Sequence, residues 1–185
     1  MIYVLGTLVA IAAVVVLVYN RMVSLRQETK NAFADIETQL KMRADLIPNL
    51  VETVRGYASH EKGILEKVTE MRSSVLRGGK SMNEKVEAEQ NLSAALVQLL
   101  AVAENYPQLK ADASFRQLQS ELSDIENKVA AARRFFNNAV AEYNSSIEQF
   151  PAVFFSKTLG FDPAKPYELT AEEKASTANP PKVQF

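Results

Sequence analysis

The first nineteen residues, MIYVLGTLVAIAAVVVLVY, carry no charged side chain, and only Gly6 and Thr7 fall outside the hydrophobic set. At a rise of about 1.5 Å per residue the run makes roughly 28 Å of helix, close to the ~30 Å hydrocarbon thickness of a bilayer. A cleaved signal peptide needs a basic n-region, a shorter apolar core and a small-residue cleavage site. No basic side chain precedes this run, and Leu17-Val18-Tyr19-Asn20 is a poor cleavage sequence. An all-round apolar helix in this position is rarely the core of a soluble domain. The reading adopted is therefore an uncleaved, single transmembrane helix from Ile2 to Tyr19, with the lipid bilayer as its first partner. Arg21, Arg26 and Lys30 follow the span, and only the α-amino group precedes it. The positive-inside rule then holds the C-terminal side in the cytoplasm and the N-terminus outside. Gly6 and Ala10 form a small-xxx-small pair that lets two such helices approach closely.

The remainder excludes several functions by its composition. Lys and Arg total 21 against 22 Asp and Glu, so no basic excess is available to offset nucleic-acid phosphates. With no Cys there are no disulfides, thiol nucleophiles or zinc–thiolate sites. One His leaves almost nothing for a histidine-rich metal site or a Ser-His-Asp triad, and six Gly are too few for a Gly-rich phosphate cradle.

Beyond the span the apolar residues fall at heptad spacing. Phe33, Ile36, Leu40, Arg43, Ile47, Leu50, Val54 and Tyr57 alternate by three and four, with Arg43 as the one intruder. Pro48 lies inside this run and should kink the helix near Ala44 to Ile47 without ending it. Ser59 is the expected N-cap of a second helix with the seam Ile64, Val68, Met71 and Val75, stopped by Gly78-Gly79. Ser81 and Glu84 have capping-box spacing ahead of a third helix, which carries Leu92, Leu96, Leu99, Ala103 and Tyr106 as far as Pro107. Ser114 and Gln117 are a second capping-box pair, before a long helix from Phe115 through Tyr143 that ends near Pro151. The predicted fold is all-α: the N-terminal transmembrane helix, then an elongated antiparallel four-helix, coiled-coil-like bundle. The domain boundaries follow as residues 1–19, 20–150 and 151–185.

Summing the helix lengths brings the end of the fourth helix within roughly 10–15 Å of the bilayer. The next segment, FPAVFFSKTLGF, holds Phe150, Phe154, Phe155 and Phe161, four of the nine Phe in the chain. It is expected either to touch the membrane surface or a neighbouring subunit, or to fold back over the adjacent end of the bundle. Asp162 to Phe185, with four prolines, reads as an extended or disordered tail.

Carboxylate-bridged metals in four-helix bundles use Glu-x-x-His pairs, and the lone His60 has Tyr57 at the matching position, so no metal, cofactor or catalytic residue is expected. Arg43 on the seam requires a buried carboxylate partner, for which Glu121, Asp124 and Glu126 are the candidates. Its principal reading is a structural, register-fixing ion pair. The alternative is a ligand or sensor pocket around Arg43, Asn49 and Tyr57. Asn137, Asn138 and Asn144 read as residues that specify helix register.

Several strings carry a family resemblance: Tyr19-Asn20, Lys30-Asn31-Ala32, Gln39-Leu40-Lys41 and, above all, Arg43-Ala44-Asp45-Leu46-Ile47-Pro48-Asn49-Leu50-Val51. So do Gly56-Tyr57-Ala58 with His60-Glu61, Glu104-Asn105-Tyr106-Pro107-Gln108-Leu109-Lys110-Ala111, Glu126-Asn127, Ala132-Arg133-Arg134, Val140 with Tyr143-Asn144, and Phe150-Pro151. Together they resemble the LemA family from residue 1 to about 161. Met42 and Phe135-Phe136 depart from the family pattern. The resemblance implies a single-pass bacterial inner-membrane protein with a helical, cytoplasm-facing domain and no established enzymatic activity. The expected role is structural, through contact with a second copy of the chain or with another membrane protein, and not with nucleic acid.

Overall fold

The structure, a computed structural model, describes residues 1–79 and 82–167. Among them the regular secondary structure is entirely helical. Helix α1 runs without interruption over Ile2–Tyr57, α2 over Lys62–Leu76, α3 over Met82–Ala103, α4 over Pro107–Ala111 and α5 over Ala113–Glu148, and a 3-10 turn follows at Ala152–Phe154. The chain divides into two compact units, one made of Met1–Phe33 with the chain from Arg133 onward, the other of Ala34–Ala132.

In the second unit the heptad seams become the core. Ile47, Leu50, Val51 and Val54 of α1 pack with Leu65 and Val68 of α2, Leu92, Leu96 and Leu99 of α3, Leu109 of α4, and Phe115, Leu118 and Leu122 of α5. Tyr57, the last expected seam position of α1, is instead exposed, because the core closes over Ala58. Pro48 stays inside α1, as the heptad phase required. A proline at 48 has no N–H to give the Ala44 carbonyl. That carbonyl accepts a hydrogen bond from Arg72 Nε of α2 at 2.7 Å instead.

The helix ends correct three sequence expectations. Glu61, not Ser59, occupies the N-cap of α2, and it makes no side-chain capping bond. The Ser81 half of the first capping box lies outside the described residues. At α5 the cap is Asp112, not Ser114: its Oδ1 accepts the Phe115 N–H at 2.9 Å. Ser114 falls inside the first turn, so a box built on it is out of register. The third helix also stops earlier than expected, at Ala103, and Pro107 opens a helix of its own, a favoured place for a residue without an N–H.

In the first unit, residues 1–17 are exposed throughout. The helix passes the length and composition test for crossing a membrane, with a mean hydropathy of 2.6 over its most apolar window and none of that window buried. Burial begins at Val18. Met22 and Leu25 pack with Tyr143 and Ile147 of α5 and with Ala152 and Phe161 beyond it, against the partly buried Val18, Val23, Phe155 and Ala164.

Candidate functional site

Three places gather side chains with chemical capacity. The first is buried in the second unit, where Arg43 is fully enclosed. Its Nη1 lies 3.0 Å from Glu89 Oε1 and 3.1 Å from Glu126 Oε1. Its Nη2 donates to Ser93 Oγ at 2.6 Å. Of the three carboxylates expected for Arg43, the structure brings up Glu126 and adds Glu89. Glu121 and Asp124 line a separate surface groove with Met42 and Leu46. Glu89 was legible: stepping the α3 seam of Leu92, Leu96 and Leu99 back by three residues lands on it. Both Nη atoms of the guanidinium are thus engaged by side chains of the same unit.

Asn49 is exposed, and Tyr57 lies about 21 Å of helix rise from Arg43. The three residues of the alternative pocket are therefore not brought together. Among the described residues no group of three or more His, Cys, Asp or Glu is placed to hold a metal ion.

The second place joins two of the motif segments noted in the sequence. Tyr57 donates its hydroxyl to Asp112 Oδ2 at 2.9 Å, and Tyr106 donates to Glu61 Oε1 at 3.2 Å. Tyr57, Asn105, Tyr106, Pro107 and Gln108 line an open cleft of about 290 Å³. The Phe115 N–H first, and the Tyr57 hydroxyl next, hold the Asp112 carboxyl below its usual range. The same contact, by hydrogen bonding to the carboxylate, raises the Tyr57 phenol. Partial desolvation, followed by the bond to Glu61, raises Tyr106. These links connect the end of α1 to the N-cap of α5, and the N-cap of α2 to that of α4.

The third place is the C-terminal part of the first unit, built on α5. Ser156 Oγ donates to the Ile147 carbonyl at 3.0 Å, which folds the segment after α5 back on its last turns. Gly160 adopts φ +75°, a conformation that disfavours a β-carbon, and it turns the chain so that Phe161 enters the core. Phe161 meets the Tyr19 ring edge-on at 5.6 Å, and the Arg26 guanidinium lies 4.6 Å over its face. The Tyr143 hydroxyl donates to the Asp162 carbonyl at 3.0 Å, and burial raises the Tyr143 phenol.

Two asparagines then hold the chain. Asn144 receives the Ala164 N–H at 2.8 Å and donates to the Ala164 carbonyl at 2.9 Å. Asn137 does the same for Tyr167, at 2.7 and 3.1 Å. The spacings match. Seven residues of helix rise about 10.5 Å, and three residues of extended chain span about 10 Å. The Arg133 guanidinium covers the Tyr167 ring at 4.6 Å.

The expected tail is thus a fixed strap over residues 162–167, and the rest of it lies outside the described residues. Asn137 and Asn144 read the backbone of that strap, a role the sequence analysis did not assign to them. Their heptad separation was the available signal.

The four phenylalanines singled out in the sequence divide. Phe161 is buried and Phe155 half-buried, whereas Phe150 and Phe154 are 80% and 76% exposed. Of the topology charges, Arg21 pairs with Glu142 at 3.3 Å, Arg26 stacks on Phe161, and Lys30 is exposed.

Comparison with known proteins places these features in a family. The magnetosome protein MamQ of Magnetospirillum gryphiswaldense is 23% identical over 84% of this chain and 66% of its own length. MamQ 2 of Paramagnetospirillum magneticum is 22% identical over 88% of this chain and 69% of its own length. Protein LemA of Metamycoplasma hominis is 27% identical over 71% of this chain and 60% of its own length. The chain therefore spans about two thirds of the length of the curated relatives it matches. The model of the LemA family matches residues 32–185, a stretch that holds the Arg43 cluster, the cleft at Tyr57 and the asparagine strap, and the chain belongs to that family.

Proposed function

We propose that this chain is a membrane-anchored, non-catalytic interaction protein of the bacterial inner membrane. Residues 2–19 cross the bilayer once, with the N-terminus outside. The helical remainder works in the cytoplasm by presenting its faces to a second copy or to another membrane protein. One observation carries this reading: residues 1–17 are exposed along their whole length, whereas from Met22 onward most of the large apolar residues of α1 are buried or partly buried. Exposed apolar surface on that scale is unstable in water and stable in lipid. The internal pairing of Arg43 removes the most reactive-looking residue from the surface, which favours contact over chemistry.

Alkaline carbonate extraction of membranes, combined with protease treatment of spheroplasts, tests the anchor and its orientation. The chain should stay in the membrane pellet and be cut only after lysis. Recovery in the soluble fraction at intact length, or cleavage in intact spheroplasts, overturns the anchor or its orientation respectively. Mass photometry of the detergent-solubilised chain tests self-association. A monomer at every concentration assigns the exposed faces to other proteins.

A further inference from the structure

We infer that Phe150, Val153 and Phe154 form a second membrane contact, entering the headgroup–acyl boundary of the leaflet from which the span emerges on its C-terminal side. The inference rests on residues 2–19 spanning the bilayer, and it adds a site that the span does not require.

The geometry comes from the first unit alone. There α1 and α5 run antiparallel: Arg21 pairs with Glu142, and further along Phe33 meets Phe136. From Phe136, at the level of Phe33, twelve residues of α5 reach Glu148, a rise of about 18 Å, which brings the helix end level with residues 20–21 of α1, at the end of the span. The chain then turns, and one side of the turn docks where the exposed apolar run ends, with Phe155 and Phe161 against Val18 and Tyr19. Its other side carries Phe150 and Phe154, in edge-to-face contact at 5.8 Å, with Val153 half exposed. Whatever medium covers residues 2–17 therefore adjoins this patch.

The segment from Gln149 to Phe161 holds no acidic residue, and its one charge is the exposed Lys157. Two aromatic rings, an aliphatic side chain and a nearby lysine match an interfacial contact with an anionic lipid surface. A lasting contact with a second copy needs about 800 Å² from each partner, more than three side chains supply. The strap held by Asn137 and Asn144, together with the Ser156 bond to Ile147, fixes the turn, so the rings are presented without an ordering cost.

The chain contains no Trp, so Phe154→Trp in the full-length protein supplies a single fluorophore. The variant is reconstituted at high lipid excess in vesicles of phosphatidylcholine and phosphatidylglycerol bearing brominated acyl chains. Phe135→Trp, at an exposed position on α5 in the same unit, serves as the reference, and Phe150→Trp repeats the test at the neighbouring ring. Blue-shifted emission at 154 and 150, quenched severalfold more than at 135, is the expected result. Quenching at 154 and 150 no greater than at 135 overturns the inference while the protein still floats with the vesicles. A blue shift that is unquenched by bromine and fades as lipid is added assigns the patch to a second copy and overturns it too. Failure of the protein to float overturns the spanning segment itself and the inference with it.

Discussion

Removing the Arg43 side chain takes the guanidinium away from Glu89, whose carboxylate sits in a site almost closed to water, with Ser93 Oγ among the groups beside it. Breaking a buried pair from one side costs ~3–5 kcal/mol, so Arg43→Ala should lower unfolding stability by about that amount. Arg43 Nε is buried without a hydrogen-bond partner among the described residues, so even the native pair is incompletely satisfied. Replacing both charges with apolar groups of similar size, Arg43→Met with Glu89→Leu, should therefore recover most of the loss. Urea unfolding of the two variants in detergent checks this. Equal losses would show that the ion pair stabilises the core in a way that apolar packing cannot reproduce. Asp112 makes a different prediction, one in pH. Its carboxyl titrates lower in the folded chain than the ordinary ~3.9, so the unfolded chain binds more protons between those two values. The stability this group contributes is complete above about pH 5 and is lost as pH falls through the depressed native value. Asp112→Asn should flatten that part of the acid limb in unfolding experiments run from neutral to low pH.

At the scale of an element, α1 survives an internal proline because α2 supplies the donor that the proline lacks. Arg72→Ala should leave the Ala44 carbonyl unsatisfied, at a cost of about 1–3 kcal/mol. Pro48→Ala restores an N–H within the helix, so the Arg72→Ala loss should shrink in its presence. A double-mutant cycle that shows additivity would sink this account. The strap offers a parallel test. Asn144→Ala and Asn137→Ala should each remove protection from one amide, Ala164 and Tyr167 respectively, as read by hydrogen exchange. The seams of α1, α3 and α5 were readable from sequence because burial repeats every 3.5 residues, and the repeat even reaches Glu89. The Arg72 bond and the strap were not. Each depends on one side chain meeting one backbone group, which leaves no period in the sequence. The cap of α5 was misplaced by two residues because Asp112 and Ser114 are both good capping types, and only the backbone decides between them.

For the whole molecule, the apolar run can be separated from everything that packs. None of residues 1–17 is buried, so deleting 2–17 removes no core side chain. The shortened chain should keep the helical circular dichroism per residue of its packed part, and it should no longer resist alkaline extraction. If the span were the only attachment, that chain would ignore lipid. With Phe150 and Phe154 as a second contact, it should still co-sediment weakly with anionic vesicles. A partial attachment of this kind holds a protein at a membrane only together with a second signal. The residual binding should fall with rising salt, as the Lys157 contribution is screened, and should vanish in Phe150→Asp with Phe154→Asp. Because the strap and the core around Met22 lie outside both changes, the doubly substituted chain should keep its protected Ala164 amide. Loss of vesicle binding with that amide still protected would assign the effect to the rings. Loss of both together would mean that the turn itself had come apart.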